Sequence, residues 1–403
     1  MRGKLVWTGL LLLHSSMALV DPTKLSLLSP CGAGSFGIVR WAEYDRQPAV
    51  AKAALAGTKA AQYLAVEEHA NRLLHEQTPG GSTPELAPFL GACQKSGHRW
   101  LVWKARGSDT LADYLARGPA GLAELAQILN RGADNGDLPA SASPQSLAKT
   151  VLRCMLRALA HIHARGVVHR DLKPDNWLVD REGRCLVLID FGSSVDVAGW
   201  LVQRGLEPDR VPASVLYCPC EQLLDAKAPY TCKLSSVSSP VHIHVRACAT
   251  HALLLDMQMP MRQVGTCKRH ASARVRMHRH DIQRDCLSPP LLLRSDDIYS
   301  AALVMMRIAV PCLSEESLMS LRLELRQHRH DPHAWWQAAD EAPDGWELAF
   351  GPLARRGALA TPEQRELWEL LCQMLAFEPS ERPSAAEVLV GPFLNADCEV
   401  GPQ

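Results

Sequence analysis

The stretch VVHRDLKPDNWLV sets Asp171, Lys173 and Asn176 in one short run, and LIDFG places Asp190 nineteen residues past Asp171. A carboxylate at Asp171 could accept or orient the proton of an attacking hydroxyl. Lys173 could neutralise charge on a transferring phosphoryl group, while Asn176 and Asp190 could offer oxygen ligands to Mg2+. Each residue alone reads as an ordinary polar residue of a loop or turn. Their joint spacing is what singles them out.

Upstream, CGAGSFGIV puts Gly32, Gly34 and Gly37 in G-x-G-x-x-G spacing, with Ala33 and Ser35 between the glycines and Val39 two residues beyond. Such glycines let the backbone lie close over phosphates and present N–H groups to their oxygens. The same spacing opens dinucleotide sites and ordinary turns. A dinucleotide site would have a helix next, whereas IVRWAEY reads as a strand and favours a hairpin lid. Lys52 ends AVAK, thirteen residues past Val39. By itself it is a solvated strand end; behind a glycine loop it is a candidate grip on α- and β-phosphates. Its ammonium then needs a carboxylate, and AQYLAVEEHANRLLHE offers Glu67 and Glu68. Glu67 shares a helix face with Tyr63, Leu64, Ala70 and Leu74 and is expected to point inward. Glu68, beside Asn71 and Arg72, is expected in solvent.

The elements that must position these groups follow from periodicity. Residues 24–54 are strand-like, 60–76 helical and 98–105 a strand. Leu147, Val151, Met155, Leu159 and Ile162 then recur at helical spacing, short strands follow around VVH, NWLV and CLVLID, and SDDIYSAALVMMRIAV and LWELLCQMLAF return to helix. A strand-rich first quarter before a helix-rich remainder predicts an α+β molecule of two lobes.

Composition sets outer bounds. The chain has 403 residues, 47% apolar and 21% charged, with 43 basic residues against 43 acidic ones. No net field draws it to nucleic acid. Its 13 cysteines are scattered and read as reduced core thiols. Residues 1–22 combine Arg2 and Lys4 with an interrupted apolar run, the shape of a targeting or membrane-proximal segment. Over residues 226–290 helical and strand periodicity both fade, and the stretch holds six of the 16 histidines. Cys267, His270, His278, His280 and Cys286 could be combined into a zinc site, but their spacing matches no compact zinc motif. A disordered insert is the expectation there.

Taken together, HRDLKPDN, DFG, the glycine loop and AVAK resemble the eukaryotic protein kinase family over residues 24–394. The resemblance implies a two-lobed protein kinase fold, with N-lobe and hinge at 24–106, C-lobe at 107–395, and ATP and Mg2+ between them. It puts Trp103 at the gatekeeper position, Lys104 to Arg106 in a hinge that hydrogen-bonds adenine, Val39 and Val50 above the base and Leu178 below it. Asp297 matches the buried aspartate that anchors the catalytic loop. Ala302 stands where the family has glycine. In YCPCEQ, Tyr217 and Glu221 bracket Cys218, Pro219 and Cys220, where the family reads Tyr-x-Ala-Pro-Glu, and Arg382 matches the arginine that pairs with that glutamate. Lys173 and Ser214 fit the Ser/Thr branch.

A narrower resemblance, carried by LVWKARGSDTLADYL, SDDIYSAALVMMRIAVPCLSEESL and HDPHAWWQAA, is to the thylakoid-associated state-transition kinases of algae and plants. It implies protein substrates in the thylakoid membrane and a chloroplast setting with the kinase domain in the stroma, a cytoplasmic setting being the alternative. That group's redox control is associated with a lumenal cysteine pair; here Cys31 alone precedes the glycine loop. The altered end of the activation segment favours a pseudokinase or docking scaffold as the second reading. Lys52, Asp171, Asn176 and Asp190, all present, oppose it.

Overall fold

The computed structural model describes residues 20–33, 37–55, 58–76, 83–130, 144–196, 214, 216–219, 289–338, 346–350 and 361–395. Three strands come first among the described residues: β1 (Leu25–Ala33), β2 (Gly37–Tyr44) and β3 (Gln47–Ala54). Helix α1 (Thr58–Glu76) follows, then β4 (Phe89–Lys95) and β5 (His98–Lys104). The five strands form one sheet in the order β1-β2-β3-β5-β4, every pair antiparallel. Two tight turns set the register. Asp45 and Arg46 (φ 51° and 66°) join β2 to β3, and Ser96 and Gly97 (φ 52° and 77°) join β4 to β5. Positive φ at both central residues matches the right-handed twist of the flanking strands.

The two-residue period of β3 sorts its side chains. Ala49, Ala51 and Ala53 are buried with Val20, Leu25, Ala42, Trp100 and Val102 on the outer face. Val50 and Lys52 therefore face the other way, toward the cleft they line. Lys52 lies opposite Val39 on β2 and Leu101 on β5, at the middle of the sheet. Val20 is buried in the outer cluster, and Lys95 Nζ donates to the carbonyls of Pro22 (2.7 Å) and Leu25. Of the expected 1–22 segment, Val20 thus belongs to the sheet's core, where its apolar side chain covers the alanines of β3, while Asp21 and Pro22 are exposed. Residues 1–19 lie outside the described residues.

The C-lobe begins with α2 (Leu111–Ala116), α3 (Gly118–Asn130) and α4 (Pro144–Ala164). Two short strand pairs follow: β6 (Val167–Val168) with β9 (Val195–Asp196), and β7 (Trp177–Asp180) with β8 (Cys185–Leu188). Then come α5 (Pro289–Ala309), α6 (Glu315–Gln327), α7 (Pro332–Ala338), α8 (Trp346–Phe350), α9 (Pro362–Met374), α10 (Ala385–Leu389) and α11 (Pro392–Asn395). On α4, Leu147, Val151, Leu152, Met155, Leu159 and Ile162 are buried beside Ala301, Ala302 and Met305 of α5. Each large apolar side chain so buried contributes about 1.5–3 kcal/mol relative to exposure. Ala302 is fully buried in this contact. The expected insert at 226–290 ends in helix, since Pro289 opens α5; the rest of it lies outside the described residues.

Rings of Trp335, Trp336, Trp346, Phe350 and Trp368 pack at centroid distances of 5.1–6.3 Å and tie α7, α8 and α9 together. Cys93, Cys154, Cys185, Cys218 and Cys372 are buried thiols, while Cys31 and Cys312 are exposed. Among the described residues no helix is long and apolar enough to cross a membrane, and no cluster of three or more His, Cys, Asp or Glu side chains is placed to hold a metal ion.

Candidate active site

A cleft of about 760 Å3, open to solvent, lies between the sheet and the β7–β8 hairpin. Val39, Val50, Lys52, Trp103, Lys104 and Arg106 line its upper side and back, and Leu178, Ile189 and Asp190 its lower side. Gly32 stands on β1 opposite Val39. At Gly37 a Cβ would come within 3.1 Å of the Ala53 carbonyl and 3.2 Å of Lys52 Cε, so glycine there keeps the lid close over the lysine. Ala33 ends β1; Gly34 and Ser35 lie outside the described residues.

Lys52 Nζ sits 2.7 Å from Glu67 Oε2 and 2.8 Å from Asp190 Oδ1. Burial opposes its charge, but the two carboxylates outweigh that and hold the ammonium above its usual range. Burial pushes the Glu67 carboxyl up, to about 7, against the pull of Lys52. Asp190 is held below the usual carboxylate range because Lys52 offsets its desolvation. Asp190 itself is left-handed (φ 63°) and accepts from the Gly192 N–H at 3.3 Å. Such backbone conformations persist only where the surroundings hold them.

Glu68 is not in solvent as expected. Arg72 meets it at 2.8 Å and Arg99 of β5 closes over it, holding its carboxyl low against partial burial. Asn71 is likewise buried, because at i+4 from Glu67 it shares the inner face of α1. Its Nδ2 donates to the Glu67 carbonyl (2.8 Å), and its Oδ1 accepts from the Trp103 indole (3.0 Å). Sequence periodicity passed it over by grouping it with Glu68; its spacing from Glu67 was the available signal.

The catalytic-loop residues converge on Asp171. Lys173 Nζ reaches Oδ2 at 3.0 Å, the Ser214 N–H reaches Oδ1 at 3.1 Å, and Asn176 Nδ2 reaches the Asp171 carbonyl at 2.7 Å and Oδ2 at 3.2 Å. The loop is anchored by Asp297, fully buried, which accepts from the His169 N–H (2.9 Å) and the Arg170 N–H (2.8 Å) and meets His163 Nε2 at 2.9 Å. These hydrogen bonds keep its carboxyl low despite burial. The His169 ring packs edge-on against Phe191 at 5.0 Å.

The hinge is more selective than expected. The Lys104 N–H is engaged by the Pro88 carbonyl (2.9 Å) and the Ala105 N–H by the Pro48 carbonyl (3.1 Å), so neither of these two amides of the expected hinge is open to a base. The Arg106 guanidinium pairs with Asp180 Oδ2 at 2.7 Å and donates to the Pro84 carbonyl at 3.3 Å.

Past the catalytic loop, Tyr217, Cys218 and Pro219 are buried. Arg307 donates to the Tyr217 hydroxyl at 2.7 Å, and Arg322 to the carbonyls of Leu216 and Cys218. Neither arginine was singled out by sequence, where a lone arginine on a helix carries no signal. Arg382 is buried, stacks over Tyr299 and donates to the carbonyls of Ala376 and Phe377. Cys220 and Glu221 lie outside the described residues.

The protein kinase domain model matches residues 26–394. The chain belongs to the protein kinase family. It is 25% identical over 369 residues to the serine/threonine-protein kinase STN7, chloroplastic, of Arabidopsis thaliana, a match covering 90% of this chain and 56% of that protein. To the serine/threonine-protein kinase STN8, chloroplastic, of the same plant it is 24% identical over 376 residues, covering 88% of this chain and 64% of that protein. The chain thus spans under two thirds of either relative's length. A crystal structure of a Stt7 homolog from Micromonas algae soaked with ATP shares the fold, with a TM-score of 0.60 at 20% identity over 93% of each chain. Both plant relatives are serine/threonine-protein kinases by name.

The kinase fold implies Mg2+, and the residues present fit it. The Asn176 side chain donates from its amide nitrogen to Asp171, leaving its carbonyl oxygen for a cation. Lys52 and the Gly192 N–H both engage Oδ1 of Asp190, leaving Oδ2. A hard, oxygen-only donor pair with one anionic member suits Mg2+.

Proposed function

We propose that this kinase transfers the γ-phosphoryl group of ATP to Ser or Thr hydroxyls of thylakoid membrane proteins in the chloroplast, with its kinase domain on the stromal side. One observation carries the catalytic reading: Lys52 touches Glu67 and Asp190 at once, while Asp171 is held by Lys173, Asn176 and Ser214. Val39, Val50 and Leu178 would enclose the adenine, and the Arg106 N–H of the hinge would orient it. Lys52, steadied by Glu67, would hold the α- and β-phosphates. Asp171 would orient the incoming hydroxyl and receive its proton, and Lys173 beside it would offset charge on the moving phosphoryl group. Bound between Asn176 and Asp190, Mg2+ would neutralise phosphate charge. Most of the acceleration then comes from positioning and fixed charge rather than covalent chemistry.

The chloroplast setting rests on the names of the plant relatives, and the thylakoid substrates on the resemblance of the longer strings to state-transition kinases. The test is radiolabelled ATP with isolated thylakoids, wild type against Asp190→Ala. The expected result is phosphoserine or phosphothreonine on membrane proteins with wild type alone. Equal labelling by both proteins would overturn the catalytic reading in favour of a docking scaffold. Labelling of a generic substrate but of no thylakoid protein would overturn the substrate assignment.

A further inference from the structure

Three polar side chains on the inner face of α1, spaced four residues apart, each reach a different strand. Glu67 pairs with Lys52 on β3. One turn on, Asn71 Oδ1 accepts from the Trp103 indole at the end of β5 at 3.0 Å. One turn further, the His75 ring receives the Phe89 N–H of β4 on Nε2 (3.2 Å), with its Nδ1 at 2.7 Å from the Asn71 carbonyl. Trp103 and Phe89 are themselves in contact, at 5.4 Å between ring centroids.

The middle contact is the informative one. Asn71 is 2% exposed, and an amide buried in a helix is unfavourable unless both its ends are engaged. A leucine would fill the same space with better helix propensity. What the amide adds is direction: Nδ2 is fixed on the Glu67 carbonyl (2.8 Å), which leaves Oδ1 to receive the indole. Trp103 also lines the nucleotide cleft. The side chain that closes the back of the cleft is therefore bonded to the helix that carries the partner of Lys52.

We propose that Asn71 is a positioning residue: by holding the Trp103 indole it fixes α1 against the back wall of the cleft and so keeps Glu67 within reach of Lys52. This rests on the kinase reading for its consequence in catalysis, though not for its structural content. Loss of the indole N–H leaves a buried acceptor unsatisfied and frees the middle of the helix. Removal of both partners relieves that penalty, since a matched apolar pair in place of a hydrogen bond is close to neutral.

The test compares Trp103→Phe, Asn71→Leu and the double variant by hydrogen exchange and by turnover. In Trp103→Phe, amides of residues 58–76 are expected to exchange roughly tenfold faster while those of 37–54 stay unchanged, and kcat to fall by about tenfold. The double variant is expected to recover exchange protection and kcat to within about threefold of wild type. A tryptophan that merely lines the cleft would alter the KM for ATP and leave exchange in α1 alone. Unchanged exchange at 58–76 in Trp103→Phe overturns the proposal, as does a double variant as impaired as the product of the single effects. Should Asn71→Leu not fold, exchange in Trp103→Phe decides alone. Exchange needs no turnover, so an inert wild type counts against the kinase reading only.

Discussion

Glu67 must be ionised to pair with the Lys52 ammonium at 2.7 Å, yet burial pushes its carboxyl up to about 7, from an ordinary value of 4.5. The two demands give opposite pH dependences. An acid whose folded pKa is raised binds its proton more tightly folded than unfolded. Its contribution to stability is present below about 4.5 and is lost as pH rises through about 7. Activity runs the other way, since the ion pair forms as Glu67 loses its proton. Glu67→Gln is therefore expected to lower kcat by about 10²-fold and to flatten the rise of kcat through neutral pH. It should also remove part of the decline in melting temperature between pH 5 and pH 8. Paired pH profiles of rate and melting temperature check this; parallel profiles for wild type and variant would sink it.

Between the lobes, a single turn of chain does two jobs. Arg106 ties the hinge to Asp180 on β7 at 2.7 Å and to the Pro84 carbonyl ahead of β4. The pair is largely out of solvent, Asp180 at 5% and Arg106 at 22% exposure, so removing one charge leaves the other poorly solvated. Asp180→Asn is expected to lower stability by about 3 kcal/mol, read from the urea midpoint. A midpoint equal to wild type would show the pair to be solvent-screened. Next to it, Gly107 has φ 129°, and a Cβ there would meet the Val179 carbonyl at 2.9 Å. Gly107→Ala is expected to cost about 1–3 kcal/mol, from backbone strain together with that contact. The same denaturation series reads it, and a cost under half a kcal/mol would mean that β7 yields easily.

At this scale the limits of sequence reading are also plain. The strands, α1, α4 and the direction of Glu67 were legible because apolar spacing reports which face is buried. Asn71 and Glu68 were not, because periodicity treats a polar residue as a solvated one. Their burial depends on Trp103 and Arg99, partners some thirty residues away on β5. The engaged amides of Lys104 and Ala105 were invisible for the same reason: their acceptors belong to the tertiary fold.

On the proposed reading, the nucleotide contacts fall on both lobes: Lys52 on the sheet, the Arg106 N–H at the hinge, and Asn176 and Asp190 below. A nucleotide bound across them stabilises the folded chain by mass action. The gain is about 2.7 kcal/mol at a ligand concentration one hundred times Kd. Of these contacts, only Asn176 and Asp190 present the hard oxygens that a divalent cation requires. The Mg2+-dependent part of the stabilisation should therefore pass through them, while the part owed to the base and to Lys52 should not. Thermal melts with ADP, with and without Mg2+, are expected to show a larger upward shift when the cation is present. Asp190→Asn should abolish that increment and retain the shift produced by ADP alone, because the Arg106 N–H is untouched. Since ADP cannot donate a γ-phosphoryl group, the measurement isolates binding from turnover. An increment that survives in Asp190→Asn would place the cation elsewhere, and the assignment of Asn176 and Asp190 as its ligands would fall.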